Sequence, residues 1–186
     1  WADTSNNILK MRNSANDGWI DLRTLTGGLT SAADATINSV SVGKGANSVS
    51  GNTVLGETAL DASVTGGNNT AIGLDALSDL TSGARNTSIG ADAGENITTG
   101  DDNVSVGMGT LATLTTGSNN TCLGKGSLAL ATTSSNNTAI GYDALNANTT
   151  GARNTALGST SLDANTTGEN NTAVGQQALG ANTTAS

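Results

Sequence analysis

A 17-residue motif recurs in tandem through most of this chain, and each copy keeps the same residue types in the same places. Each copy contains an "NTAIG"-like string in which an Asn lies four places before a Gly. We number each repeat from this Asn as position 1, so the aliphatic residue is position 4 and the Gly is position 5. Eight copies run in register without an insertion. A fixed period with fixed apolar positions indicates units that pack on their neighbours, and it argues against disordered low-complexity sequence.

Several columns of like residues define the repeat. Position 1 is Asn, position 4 is Ile, Leu or Val, position 5 is Gly, and a second apolar column of Leu lies at position 9. We interpret these columns as the structural residues that hold the repeat together. Their clearest members are Asn69, Ile72, Gly73, Leu77, Asn86, Ile89, Gly90, Asn137, Ile140, Gly141 and Leu145.

The length of the repeat decides the fold class. A helical repeat needs about 33 residues or more, and the Gly, Asn and Thr that punctuate every unit disfavour helix. The pattern therefore predicts an all-β fold, a parallel β-solenoid or β-roll. Each coil would contain the strand N-T-A-I-G, a turn at its Gly, a second strand around A-L and a T-T-G turn. We expect Ile and Leu to meet between two layers, and the Asn amides to form a ladder between coils about 4.8 Å apart.

Composition and charge limit what the chain can bind. The net charge is −8 with only seven Lys and Arg, which argues against nucleic acid, because binding phosphates requires clustered basic residues. No run of about 18 apolar residues is present, so we predict no membrane insertion. The chain has no His and a single Cys, which argues against the usual zinc and thiolate sites. We therefore expect no cofactor, no metal and no catalytic residues.

The start of the chain differs from the repeats. The strings NILKMRN and WIDLRTL read as two short strands, and SANDG between them is a hairpin turn signal. We predict a hairpin or connector module over residues 1–28, a transition over 29–37 and solenoid repeats over 38–186. A half-matching copy places Gly43 less than one full repeat before Gly56 and predicts a shorter first coil. The last repeat stops at Ser186 one residue short of completion, so we expect further coils to follow.

A single chain has little apolar surface with which to stabilise such a stack. Two large aliphatic residues per coil contribute little against the conformational entropy lost when the whole coil is ordered. A column of small residues at position 3 faces away from the position 4 aliphatics, because successive strand residues point to opposite sides. We predict a homotrimer in which this small column lies between subunits. The column consists of Ala71, Ser88, Ser105, Cys122, Ala139, Ala156 and Ala173.

The strings NNTAIGYDAL, RNTALGSTSL and NNTAVGQQAL resemble repeats in tail-fibre proteins of bacteriophages, notably those that infect cyanobacteria. They are also similar to the β-roll head of trimeric autotransporter adhesins, whose coils carry an S-V-A-I-G-like strand. The opening WADTSNNILKMRNSANDGWIDL resembles a short module common in cyanophage tail fibres.

This resemblance implies a trimeric, extracellular fibre on a virion tail that supports attachment to the host surface. Its implied partners are further copies of the chain, upstream tail or fibre components, and a glycan or protein of the host cell surface. The alternative is the head of a trimeric adhesin on a bacterial cell surface. Neither family supplies catalytic residues.

Three further activities can be weighed from the sequence. Asp75 and Asp92 occupy equivalent places in adjacent coils and could mimic the paired carboxylates of a polysaccharide-cleaving tailspike, but the column does not continue as acids. Asp101 and Asp102 could bind a stray cation. Regular Thr columns on a flat solenoid could bind ice, although Thr is also simply a good strand and turn residue. The two Thr columns are Thr53, Thr70, Thr87, Thr121, Thr138, Thr155 and Thr172, and Thr81, Thr98, Thr115, Thr132, Thr149, Thr166 and Thr183.

Overall fold

The structure is a computed structural model that describes residues 2–3, 8–12, 19–23, 34–37 and 39–186 of the chain. Side chains are described for Asp34 and for residues 39–186. The chain divides into two compact units, Trp1–Ala32 and Ala33–Ser186. This division falls within the predicted transition of residues 29–37. None of the described residues lies in a helix long and apolar enough to cross a lipid bilayer.

The first unit is a small antiparallel sheet. Its strands are β1 (Ala2–Asp3), β2 (Ile8–Arg12) and β3 (Trp19–Arg23), in the order β1-β2-β3. The register of β2 and β3 pairs Ile8 with Arg23 and Arg12 with Trp19. The two strands predicted from NILKMRN and WIDLRTL are thus present and paired. The SANDG turn between them and residues 24–33 lie outside the described residues.

The second unit is a stack of coils along one ten-stranded sheet. It opens with β4 (Ala35–Ile37) and β5 (Val40–Gly43), and a short 3-10 segment at Ala46–Ser48 follows. The remaining strands are β6 (Thr53–Gly56), β7 (Thr70–Ile72), β8 (Thr87–Ile89), β9 (Val104–Val106), β10 (Thr121–Leu123), β11 (Thr138–Ile140), β12 (Thr155–Leu157) and β13 (Thr172–Val174). From β6 onward, each strand begins one 17-residue repeat after its predecessor and pairs with it in parallel, in register. The predicted all-β solenoid of 17-residue coils is confirmed.

The predicted shorter first coil is wrong. Strand β5 pairs antiparallel with β6, with Val42 opposite Leu55, and β4 pairs antiparallel with β5. The reason is the length of the connection. Residues 57–69 carry the chain around a full coil, whereas the connection over residues 44–52 is four residues shorter. With too few residues to go around, the chain reverses direction and caps the first strand of the stack.

The second strand predicted around A-L is also absent. Positions 6 to 11 form turns, and the Leu at position 9 has a left-handed backbone, with φ of 52° at Leu77 and 53° at Leu145. These turns still bond to the next coil, because the Leu77 N–H donates to the Ala93 carbonyl at 3.2 Å. Gly94, the exception in the Leu column, has φ of 62°, so glycine fits the same conformation without steric cost.

The interior of the coil contains the small column, not the position 4 aliphatics. Side chains at position 3 are buried, with Ala71, Cys122 and Ala139 fully inaccessible, and so are those of Leu77 and Leu145 at position 9. Position 4 faces outward, and Ile89 remains 37% exposed. The expectation that Ile and Leu meet in the core is therefore wrong for the position 4 residues.

The prediction that the position 3 residues lie between subunits is also wrong. These residues lie inside their own chain, so they are not available for contact with another copy. These buried residues are Ala71, Ser88, Ser105, Cys122, Ala139, Ala156 and Ala173. Burial of the position 1 Asn explains why position 3 faces the interior, because residues 1 and 3 of a strand share a side and residue 4 faces the other way.

The predicted Asn ladder is confirmed and is buried. The side-chain carbonyl of each Asn accepts the backbone N–H of the next Asn, as in the 2.9 Å bond from Asn86 N to Asn69 Oδ1. Its Nδ2 donates to the carbonyl at position 15 of its own coil, as from Asn137 to Gly151 at 3.0 Å. Each amide therefore closes one coil and joins it to its neighbour. The ladder runs through Asn52, Asn69, Asn86, Asn103, Asn120, Asn137, Asn154 and Asn171.

Position 12 is a third interior column that the sequence pattern did not reveal, because its chemistry changes along the stack. In the middle coils it is apolar, with Leu80, Ile97, Leu114 and Ala131 fully buried. Towards the carboxyl end it becomes Asn148, Asn165 and Asn182, which form a second amide ladder with a 2.9 Å bond from Asn165 Nδ2 to Asn148 Oδ1. Position 12 is thus stabilised by hydrophobic contact in the middle coils and by amide hydrogen bonds towards the carboxyl end.

Glycine occupies position 15 in six of the eight coils, where neighbouring coils approach closely, and Ser134 and Ala185 take its place in the other two. A Cβ built on Gly83 would lie 2.4 Å from the Gly100 carbonyl oxygen, well inside van der Waals contact. The absence of a side chain allows the coil to pass near the next one while its carbonyl remains free to accept the bond from the ladder Asn.

We expect Asn137→Ala to lower the free energy of unfolding by roughly 1 to 3 kcal/mol, because it leaves the buried Asn154 N–H without a partner. The Gly151 carbonyl loses one of its two donors and keeps the bond from Asn148 Nδ2. Urea unfolding followed by circular dichroism measures the change. The matched control is Asn136→Gly at the exposed neighbour, where φ of 61° suits glycine, and it should be nearly neutral. Equal losses in both variants would contradict a special role for the buried amide.

Candidate functional surface

The outer face of the parallel sheet is the most unusual surface of the described unit. It consists of the side chains at positions 2 and 4 of successive coils. Position 4 is aliphatic throughout, and the exposed fraction of the residue is 45% at Leu55, 48% at Leu123 and 66% at Val174. Position 2 is Thr except at Val104. Because the strands pair in register, each type forms a straight column along the stack.

The corner that follows the strand adds further exposed apolar groups at position 6. Leu74, Met108 and Tyr142 are each about half exposed. The charged residues of this column are Glu57 and Lys125, and positions 2 and 4 carry no charge. The outer face is therefore an apolar stripe beside a column of Thr hydroxyls. Sequence reasoning missed it because large aliphatic residues at a fixed period are usually core residues.

The acidic pair considered for catalysis lies in a wider acidic cluster. Burial and the charges of Asp92, Asp75 and Asp79 raise the pKa of Glu95 above its ordinary value. The Asp75 carboxylate accepts a short hydrogen bond from the Thr58 hydroxyl of the preceding coil. Among the residues with described side chains, no group of three or more acidic or cysteine side chains is placed to hold a metal ion.

The pair considered for cation binding is occupied by an arginine. Arg85 Nε donates to Asp102 Oδ1 at 2.6 Å, and Arg85 Nη2 lies 3.7 Å from Asp101 Oδ2. The hydrogen bond from Arg85 holds the pKa of Asp102 below its ordinary value. The second oxygen of Asp101 accepts the Ala84 N–H at 2.7 Å, so these carboxylates link neighbouring coils.

The two Thr columns have different roles. The position 13 hydroxyls donate to the backbone carbonyl of the Thr in the next coil, as from Thr81 to Thr98 at 3.0 Å and from Thr149 to Thr166 at 3.1 Å. This column is therefore used within the stack. The position 2 hydroxyls lie on the outer face beside the aliphatic column.

A shallow cavity of about 330 Å³ lies near the start of the stack. It is lined by Asp34, Gly45, Leu60, Asp61 and neighbouring residues. The Asp34 carboxylate accepts the backbone N–H groups of Lys44 and Gly45, each at 2.6 Å. Because both of its oxygens are engaged in this way, Asp34 orders the loop that caps the first coil.

The single cysteine lies inside the coil. Cys122 is fully buried at position 3, and burial raises the pKa of its thiol far above the ordinary value. Ala or Ser occupies the same place in the neighbouring coils, so the site requires only a small side chain.

Comparison with known protein families, with curated proteins and with solved structures found no match to this chain.

We expect Glu95→Gln to raise the thermal midpoint at pH 7. The folded-state pKa of Glu95 is raised, so its ionised form destabilises the fold, and this penalty disappears as the pH falls below the unfolded value of about 4.3. The advantage of Gln should therefore vanish in acid. Asp102→Asn removes the same charge from a group whose pKa is lowered, and it should lower the midpoint at pH 7. Shifts of the same sign in both variants would show that net charge alone is responsible.

We expect the Cys122 thiol to be unreactive in the folded chain at pH 8, because reaction requires an accessible thiolate. A chromogenic disulfide reagent should titrate no thiol before denaturation and one thiol per chain after it. Cys122→Ala should leave the free energy of unfolding within about 1 kcal/mol of the parent, since Ala fills this position in other coils. Rapid labelling of the native chain would contradict the buried placement.

Proposed function

We propose that this chain is a structural segment of a bacteriophage tail fibre, trimeric and extracellular, which extends from the virion and supports attachment to the host surface. The observation that carries the proposal is the unbroken parallel stack from β6 to β13, in which every coil bonds directly to the next. Such a stack grows along one axis by a fixed rise, about 4.8 Å per coil.

The contacts between coils support a role in reach and stiffness. Backbone bonds, buried amide ladders, Thr hydroxyls and the Arg85–Asp102 pair all join residues about one coil apart. Bending the stack would have to break several of these contacts at once. A rod built in this way resists bending better than a flexible linker of the same length.

The identity of the particle rests on the sequence resemblance. The repeat strings resemble phage tail fibres and adhesin heads alike, whereas the opening segment resembles the module of cyanophage fibres. Upstream tail or fibre components and a host-surface glycan or protein are the partners that this proposal implies. The head of a bacterial surface adhesin is the alternative, because the same type of coil would serve it equally well.

The ice-binding alternative retains one favourable observation. The position 2 Thr residues form a regular column on the outer face of an in-register sheet. The position 13 column, by contrast, uses its hydroxyls within the stack. Thermal hysteresis in a dilute solution of the chain would establish ice binding, and freezing without hysteresis would reject it.

We expect antibodies against the chain to label the tail fibres of the phage that encodes it, as seen by immunogold electron microscopy. Label on the envelope of uninfected bacteria, with none on particles, would overturn the proposal in favour of the adhesin.

A segment that only provides length should tolerate the deletion of one whole 17-residue coil. Deleting residues 120–136 joins two ladder coils in register, so the phage should still adsorb at the parent rate with a fibre about 4.8 Å shorter. Deleting residues 120–127 removes only part of a coil and serves as the control that should fail to assemble. Loss of adsorption by intact particles that carry the whole-coil deletion would show that the segment contacts the receptor.

A further inference from the structure

The exposed large hydrophobic side chains of the solenoid are concentrated on one face. Twelve such residues are exposed in the part of the chain with described side chains, and ten of them belong to the outer face or its corner. Only Leu130 and Leu179 lie elsewhere. The ten are Val42, Leu55, Leu74, Ile89, Val104, Met108, Leu123, Tyr142, Leu157 and Val174. Scattered exposed hydrophobic residues are normal, but a continuous stripe of this kind marks an interaction surface.

We propose that this outer face is the surface on which copies of this chain pack against one another, in parallel and in register, with three copies around an axis along the stack. The inference deepens the proposed fibre function and rests on it. It places the contact between subunits on the position 4 aliphatic column, on the opposite side of the strand from the small residues.

The spacing of the side chains on this face favours a second copy of the chain as the binding partner. The aliphatic side chains recur at the spacing of the strands, about 4.8 Å, so the face is a regular series of ridges and gaps. A partner that fits along the whole length must have the same period. A second copy of this chain has it, because its own strands pair in the same register.

The area is large enough for such a contact. Eight strands span about 34 Å from first to last, and positions 2 to 6 span about 13 Å, so the face covers roughly 450 Å². Three copies around an axis would bury three such faces, roughly 1,350 Å² in all by this estimate, which exceeds the roughly 1,000 Å² expected of a specific interface. Positions 2 and 4 are uncharged, so the charges of the face are confined to its corner, at Glu57 and Lys125.

The three-fold arrangement requires parallel copies. Rotation about an axis along the stack does not reverse the direction of the coils, so copies related by it run the same way. In-register copies then bring equivalent residues of the outer face together at every coil.

The first test compares two double variants of the whole chain by light scattering. The parent should have three times the chain mass of 18.2 kDa. Ile89→Lys with Leu123→Lys places charges on the proposed interface and should reduce the mass to that of one chain. Thr99→Lys with Thr133→Lys adds the same charges at exposed sites in the same two coils, away from the face, and should remain trimeric. A folded parent that is monomeric or dimeric, or an Ile89/Leu123 variant that stays trimeric, would overturn the proposal.

The second test does not depend on dissociation. On a Cys122→Ala background, Leu157→Cys places one thiol on the face near the carboxyl end, and Thr167→Cys places one elsewhere in the same coil. A short bis-maleimide should join chains through residue 157 and not through residue 167, because parallel copies in register bring equivalent residues together. An intact assembly without crosslinks at residue 157 would overturn the parallel arrangement. A monomeric chain whose antibodies still label tail fibres would overturn the interface and leave the fibre function standing.

Discussion

The buried amide of the position 1 Asn is the interaction on which the rest of the structure depends. It accepts the N–H of the next coil and donates to the far side of its own coil, so it fixes both the spacing between coils and the closure of each one. A buried polar group must find partners, and here only a neighbour of the same length presents them at the same place. The need to satisfy the hydrogen bonds of this buried amide therefore explains both the stacking of the coils and the fixed length of the repeat.

Burial of this Asn also decides which residues line the interior. Since the Asn side chain points inward, position 3 points inward and position 4 outward. Position 3 is Ala, Ser or Cys in every coil except the first, where Val54 is buried. Leu at position 9 enters the core from a left-handed turn instead of from a second strand. The result is a thin core and an outer face that is richer in large aliphatic groups than most surfaces exposed to water.

Most of the polar chemistry on the surface is used between coils. Asp101 and Asp102 bond to Arg85 and to the backbone, and the position 13 Thr hydroxyls bond to carbonyl groups of the next coil. The acids around Glu95 are crowded, which raises its pKa without assembling a site. The apolar outer face is left as the most distinctive surface, and it is the surface on which we propose that copies of the chain pack.

The sequence by itself determined the repeat, the all-β class, the parallel stacking and the amide ladder, because each of these follows from residues that recur at one period. It did not determine which side of the strand faces inward, since alternation gives two opposite faces and a large aliphatic residue suits either a core or an interface. It also could not show the second interior ladder, where Leu80 and Asn148 fill equivalent places by different chemistry. Only the tertiary structure decided these points, because the inward side is set by which side chains can satisfy their hydrogen bonds and volumes when neighbouring coils come together. The reversal at β5 was decided in the same way, by whether the connection over residues 44–52 is long enough to span a coil.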